Sequence, residues 1–185
     1  MQFLIPAIFA TMFAVIIFPS DANAQRRDYM SEPEADIIRF EQEIDRRISV
    51  LLIMIDRRVA VLNNQPSPIK KESEKWGEEP KGTRLELLTD INKLLQKAID
   101  DIDDVAAHNR MDSKLFPKAM KNLSAAAQKY LTQFKTEYDK HEGEKERGVI
   151  LGSIDSCNQI IEASAKVPKD LPKDDKKKKS KDDTN

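Results

Sequence analysis

Between residues 33 and 166 the apolar side chains recur every three or four positions, the period of helices with one buried face. Four such stretches follow one another. In residues 33–63, Ile37, Ile44, Ile48, Leu51, Ile55, Val59 and Leu62 form one stripe, which Leu52, Ile53 and Met54 widen. Val50 to Ile55 is apolar throughout, too short to cross a bilayer, and reads as the most deeply buried turn. Pro33 suits a first helical turn, where its missing N–H loses no bond, and Ser31 is the better of the residues ahead of it to act as cap.

Residues 83–108 open with Thr83-Arg84-Leu85-Glu86. This is a capping box, in which the hydroxyl and the carboxylate each accept from an otherwise orphaned N–H. Leu88, Ile91, Leu95, Ala98, Ile102 and Val105 then alternate by three and four like a coiled-coil seam, with Leu87, Leu94 and Ile99 broadening it. In residues 113–141, with Pro117 in the first turn, Phe116, Met120, Leu123, Ala127, Tyr130, Phe134 and Tyr138 mark the buried side. Gly143 reads as the left-handed stop that follows. In residues 144–166, Ile150, Ile154, Cys157, Ile161 and Ser164 share a face, flanked by Leu151 and Ile160. Gly148, Gly152 and Ser156 put a small residue at every fourth position there, which suits a close approach between helices.

The long break is residues 64–82, where Pro66, Pro68, Gly77, Pro80 and Gly82 oppose any helix. It holds the only tryptophan, Trp76, expected to plug an end of the fold because a large ring finds burial. The pattern predicts an all-α chain, an antiparallel four-helix bundle over residues 33–167 running up-down-up-down.

The ends of the chain follow other rules. Phe3 to Phe18 is almost wholly apolar and leads to Ala22-Asn23-Ala24, the small residues that a signal peptidase accepts. Residues 1–24 are therefore read as a signal peptide cut after Ala24, and the chain as exported, periplasmic or extracellular. The alternative is a membrane anchor through residues 3–18, just under the length that spans a bilayer. With the leader removed, no membrane span remains. A flexible segment, 25–32, follows the cut. Residues 168–185 are Lys, Asp and Pro with only Leu171 to bury, a composition that cannot offset its ordering entropy, so they are read as a disordered tail.

Charge excludes little and removes one class. All 31 Lys and Arg lie beyond Ala24, and only Asp21 of the 32 Asp and Glu precedes it, so the exported side chains balance. Nothing draws the whole molecule to nucleic acid. Two near-copies, Ile44-Asp45-Arg46-Arg47-Ile48 and Ile55-Asp56-Arg57-Arg58-Val59, stand 11 residues apart, close to three turns, and read as a solvated basic ridge. The single cysteine, Cys157, permits no internal disulfide; it is either buried as a small apolar group or free to pair between chains.

Catalytic motifs are missing from the sequence: no Gly-rich phosphate loop, no H-E-x-x-H, and no visible pairing of Cys157 with His108 or His141. No cofactor is expected. Asp100, Asp104 and His108 share a helix face and are candidates for a divalent metal only if another helix completes the set. With Asp101 and Asp103 they read first as a salt-linked surface. The leading expectation is a non-enzymatic exported interaction or structural protein with an unidentified protein partner. The alternative is a ligand- or metal-binding helical bundle.

Overall fold

The computed structural model describes residues 27–69, 73–108, 114–140 and 143–167. The signal peptide 1–24, its cut after Ala24 and the tail 168–185 lie outside the described residues. Among those described the chain is all-helical, without strands: α1 (Glu32–Phe40), α2 (Ile44–Leu62), α3 (Ser73–Trp76), α4 (Arg84–Ala107), α5 (Leu115–Lys140) and α6 (Glu144–Ala165). No described helix is long and apolar enough to cross a membrane.

Both predicted caps form. Thr83 Oγ1 accepts from Glu86 N at 3.3 Å and Glu86 Oε2 accepts from Thr83 N at 2.6 Å. Ser31 makes the same reciprocal pair with Glu34. Each box satisfies two N–H groups that a helix start leaves without partners.

Predicted as one helix, residues 33–63 divide at Glu41–Glu43 into α1 and α2. No Pro or Gly forces the division. Its cost is offset by Arg47, whose Nη1 donates to the carbonyls of Ile38 and Glu41, both at 3.0 Å. Gln42 Nε2 likewise donates to Arg39 O. These are carbonyls at the C-terminal end of α1 and of its cap residue, which an uninterrupted helix would have paired.

The four long helices pack in pairs. α2 packs along α4 and α5, and α6 packs along the same two, while α2 and α6 do not meet among the described residues. Cross-links give their directions. Lys118 reaches Asp45 and Tyr130 reaches Asp56, so α2 and α5 run the same way. Arg47 meets Asp101 and Arg58 meets Asp90, so α4 opposes α2. Arg84 meets Glu146 and Asn92 meets Ser153, so α6 runs with α4. Ser164 bonds Ser124 at 2.9 Å and Arg147 lies over the Tyr138 ring, which makes α5 and α6 an antiparallel pair.

Ile48, Leu51, Met54, Ile55, Ile91, Leu94, Leu95 and Ile150 are wholly buried between them. The α6 face is turned from the predicted one. Ser153, Ser156 and Ile160 are buried with Ile150 and Cys157, while Ile154 and Ile161 are half-buried and Leu151 is exposed. Small hydroxyls at 153 and 156 let α6 lie close to its neighbours, which apolar counting does not register. Gly143 is not a left-handed stop either: its φ is −65° and it is the N-cap of α6.

Candidate functional site

The main polar feature of the interior is built on residues that the apolar stripe of α2 carries inward. Arg58 falls three positions after Ile55 and seven after Leu51, so the helix turns it to the same side. It is buried, as are Arg57, Glu34 and Asp90. The predicted solvated ridge is therefore wrong at its second half. Burying a guanidinium is costly unless it is paired and hydrogen-bonded, and partners come from three separate segments.

Glu34, in the first turn of α1, takes both arginines. Its Oε1 accepts from Arg57 Nη1 at 2.6 Å and Arg58 Nη1 at 3.0 Å, and its Oε2 accepts from Arg58 Nη2 at 2.8 Å and from Ser31 N at 3.0 Å. Arg58 also donates to Tyr29 O at 2.6 Å and Met54 O at 2.9 Å. Arg57 donates to Glu78 O at 2.6 Å, and its guanidinium lies 5.8 Å from the centre of the Trp76 ring. Asp90 of α4 stands 3.5 Å from Arg58 Nε and is gripped from the other side by both Nη atoms of Arg27. Arg27 lies in the segment expected to be flexible, and it is anchored here and to Lys81 O.

Opposite forces act on the two acids. Burial pushes Glu34 up, but the hydrogen bonds and charge of Arg58, the Ser31 N–H and Arg57 outweigh it and hold its carboxyl below the usual glutamate value. At Asp90 burial prevails and the carboxyl sits above the usual aspartate value, against the pull of Arg27 and Arg58.

Arginine does not exchange protons near neutrality, and both oxygens of Glu34 are fully engaged. The cluster is a clamp. It fastens residues 27–40, the short α3 and the turn at Gly77–Glu78 onto α2 and α4. Trp76 is buried in it, at the end of α3, where the sequence predicted a helix-free loop. Gly77 is required at its place: its φ is 66°, and a Cβ there would lie 2.9 Å from Pro33 Cγ.

Clamped in this way, α1 presents an outer face. Phe40, its last residue, is 80% exposed. It borders a cleft of about 450 Å³ lined by Glu32, Pro33, Asp36, Ile37, Phe40, Glu41 and Lys75.

The metal candidates do not converge. Asp100 faces Gln96 at 3.2 Å. Asp104 and His108 form an exposed pair, Nδ1 to Oδ1 3.3 Å, and His108 is the C-cap residue of α4. Among the described residues no group of three or more metal-binding side chains is assembled. Asp101 turns inward instead, to Arg47 and Lys97. Cys157 is buried, and burial pushes its thiol up to about 12, which removes it from nucleophilic chemistry near neutrality. His141 lies outside the described residues.

No protein-family model, no curated protein and no solved structure matches the chain.

Proposed function

We propose that this is an exported, non-enzymatic interaction protein. Its scaffold is a four-helix bundle of α2, α4, α5 and α6, alternating in direction along the chain, and α1 is the element it displays. The observation that carries this reading is the clamp. Two arginines, a glutamate and an aspartate, all buried, hold a short helix against the bundle with its phenylalanine facing solvent. A helix of nine residues is not stable alone in water. Fixing one so firmly while leaving its apolar tip uncovered suits a surface that meets another macromolecule.

Export rests on Ala22-Asn23-Ala24 after the apolar leader, and it places the mature terminus at Gln25. N-terminal sequencing of the protein recovered outside the cytoplasm is expected to begin at Gln25. A start at Met1 in a membrane fraction would replace export with anchorage through residues 3–18.

The interaction reading is tested by capture of the mature chain from its compartment after cross-linking, with metal and small-molecule analysis of the same sample. A reproducible cross-linked protein supports it. Stoichiometric metal or an organic ligand without a protein partner would favour a ligand-binding bundle instead.

A further inference from the structure

We infer that the cleft along α1 receives a basic segment of a partner protein that carries an apolar anchor side chain. This deepens the interaction reading above and rests on it.

Pro33, Ile37 and Phe40 follow one another by four and three, so they form a single line along α1. Ile37 is already buried, and Phe40 is the open end of the line. The rim carries three carboxylates, Glu32, Asp36 and Glu41, against one lysine, Lys75. Asp36 is engaged by Arg39. Glu32 and Glu41 stand at the two ends of α1, and no described cation pairs with them. Nine residues of helical rise separate them, roughly 13 Å. A complementary segment therefore sets its apolar side chain on the Phe40 ring and its cations toward the two ends. In an extended segment those cations would be about four residues apart. An anionic surface is disfavoured by the same rim, since like charges face each other across it.

The test uses the mature chain and three synthetic peptides: one with a central leucine flanked by lysines, one with the lysines replaced by glutamates, and one with the leucine replaced by serine. Fluorescence anisotropy reads affinity, and backbone NMR shifts locate the contact. Saturable binding is expected for the first peptide alone, with shifts at Ile37, Phe40 and Glu41. Phe40→Ala should weaken it by at least about tenfold. Glu32→Gln combined with Glu41→Gln should weaken it and reduce its salt dependence. All these side chains are on the rim or exposed, so unchanged thermal melts certify the variants as folded.

Equal binding of the glutamate peptide, or undiminished binding by Phe40→Ala, overturns the proposal. Absence of saturable binding overturns it too. A wild-type dimer in sedimentation that Phe40→Ala dissolves would assign the cleft to a second copy. Binding that appears only after residues 168–185 are removed would assign it to the chain's own tail. A captured partner whose cross-links map away from α1 leaves the interaction reading in place and removes this one.

Discussion

The two Asp-Arg-Arg copies on α2 have the same local sequence and opposite environments. In the first, Arg46 is 66% exposed and pairs with Glu43 one turn away, while Arg47 is partly covered. In the second, both arginine side chains are 3% exposed. The aspartates reverse the order: Asp45 is 5% exposed and held by Lys118, whereas Asp56 is 32% exposed beside Lys129 and Tyr130. Eleven residues come close to three turns but not quite, so the second copy is rotated relative to the first. That rotation alone is small. What separates the copies is what stands opposite. α1 folds back over Arg57 and Arg58 and brings Glu34; among the described residues nothing comparable covers Arg46. Burial of a charge is decided by a distant residue that can satisfy it, not by the charge's own neighbours.

Deleting the carboxylate that separates the copies should produce the largest effect. Glu34→Ala leaves two buried guanidiniums short of a counter-charge, and removal of one partner from such a group costs about 3–5 kcal/mol. Leu95→Ala, with a wholly buried side chain, is the internal standard at about 2–5 kcal/mol. Urea unfolding of the two variants should therefore give losses of the same order. A Glu34→Ala loss well below 1 kcal/mol would mean that the clamp contributes orientation and not stability.

Arg47 is intermediate between the extremes. It bonds two carbonyls at the end of α1 and the Asp101 carboxylate, and it is 22% exposed. Arg47→Met keeps the stem and loses the donors, and about 1–3 kcal/mol is expected. Hydrogen exchange should show where: the amides of α1 should open while those of α4 stay protected. Uniform loss across the molecule would show that the α1–α2 division depends on something other than this arginine.

The pH dependence separates the clamp's own two acids. Glu34 has a lowered folded pKa, so its stabilisation is complete above the ordinary 4.5 and is lost as pH falls through the folded value. Asp90 has a raised one, so its favourable contribution is complete below 3.8 and is lost as pH rises through the folded value. Stability of Glu34→Gln should consequently fall less steeply on acidification than wild type. Asp90→Asn should gain stability more steeply as pH rises from 3.8. Asp45 of the first copy, lowered chiefly by the Lys118 hydrogen bond, should behave like Glu34, so Asp45→Asn also flattens the acid limb. Parallel slopes for Glu34→Gln and Asp90→Asn would contradict the opposed shifts.

Helix content was the part of the fold most legible in the residues, because it is written in local periods and caps. The span 83–108 is realised as Arg84–Ala107 with its capping box, and 144–166 as Glu144–Ala165. Failures came where a distant residue intervenes. The division at Glu41–Glu43 depends on Arg47 serving two carbonyls, and the burial of Arg57 on Glu34, which is 23 positions away. The signal for the clamp lies in the stripes themselves. Arg58 continues the stripe through Leu51 and Ile55, and Asp90 sits three positions after Leu87 and four before Leu94. Charged residues in phase with a buried stripe imply a partner.

The smallest effect belongs to the exposed half of the comparison. Arg46 meets Glu43 at 2.9 Å within one turn, both largely in solvent. Such a pair gains little Coulomb energy in water and restricts two long side chains, and measured values cluster near 0–1 kcal/mol. Arg46→Ala should therefore change stability by under about 0.5 kcal/mol, the range of ordinary surface sites. Raising salt to 1 M, where the screening length is about 3 Å, should erase even that. The same salt should leave the cost of Glu34→Ala nearly intact, because ions do not enter the clamp. If Arg46→Ala instead matched Arg47→Met and resisted salt, Arg46 would have to be held by an interface that covers it. The two copies would then differ in which surface buries their arginines: this chain's own α1 for one, a partner for the other.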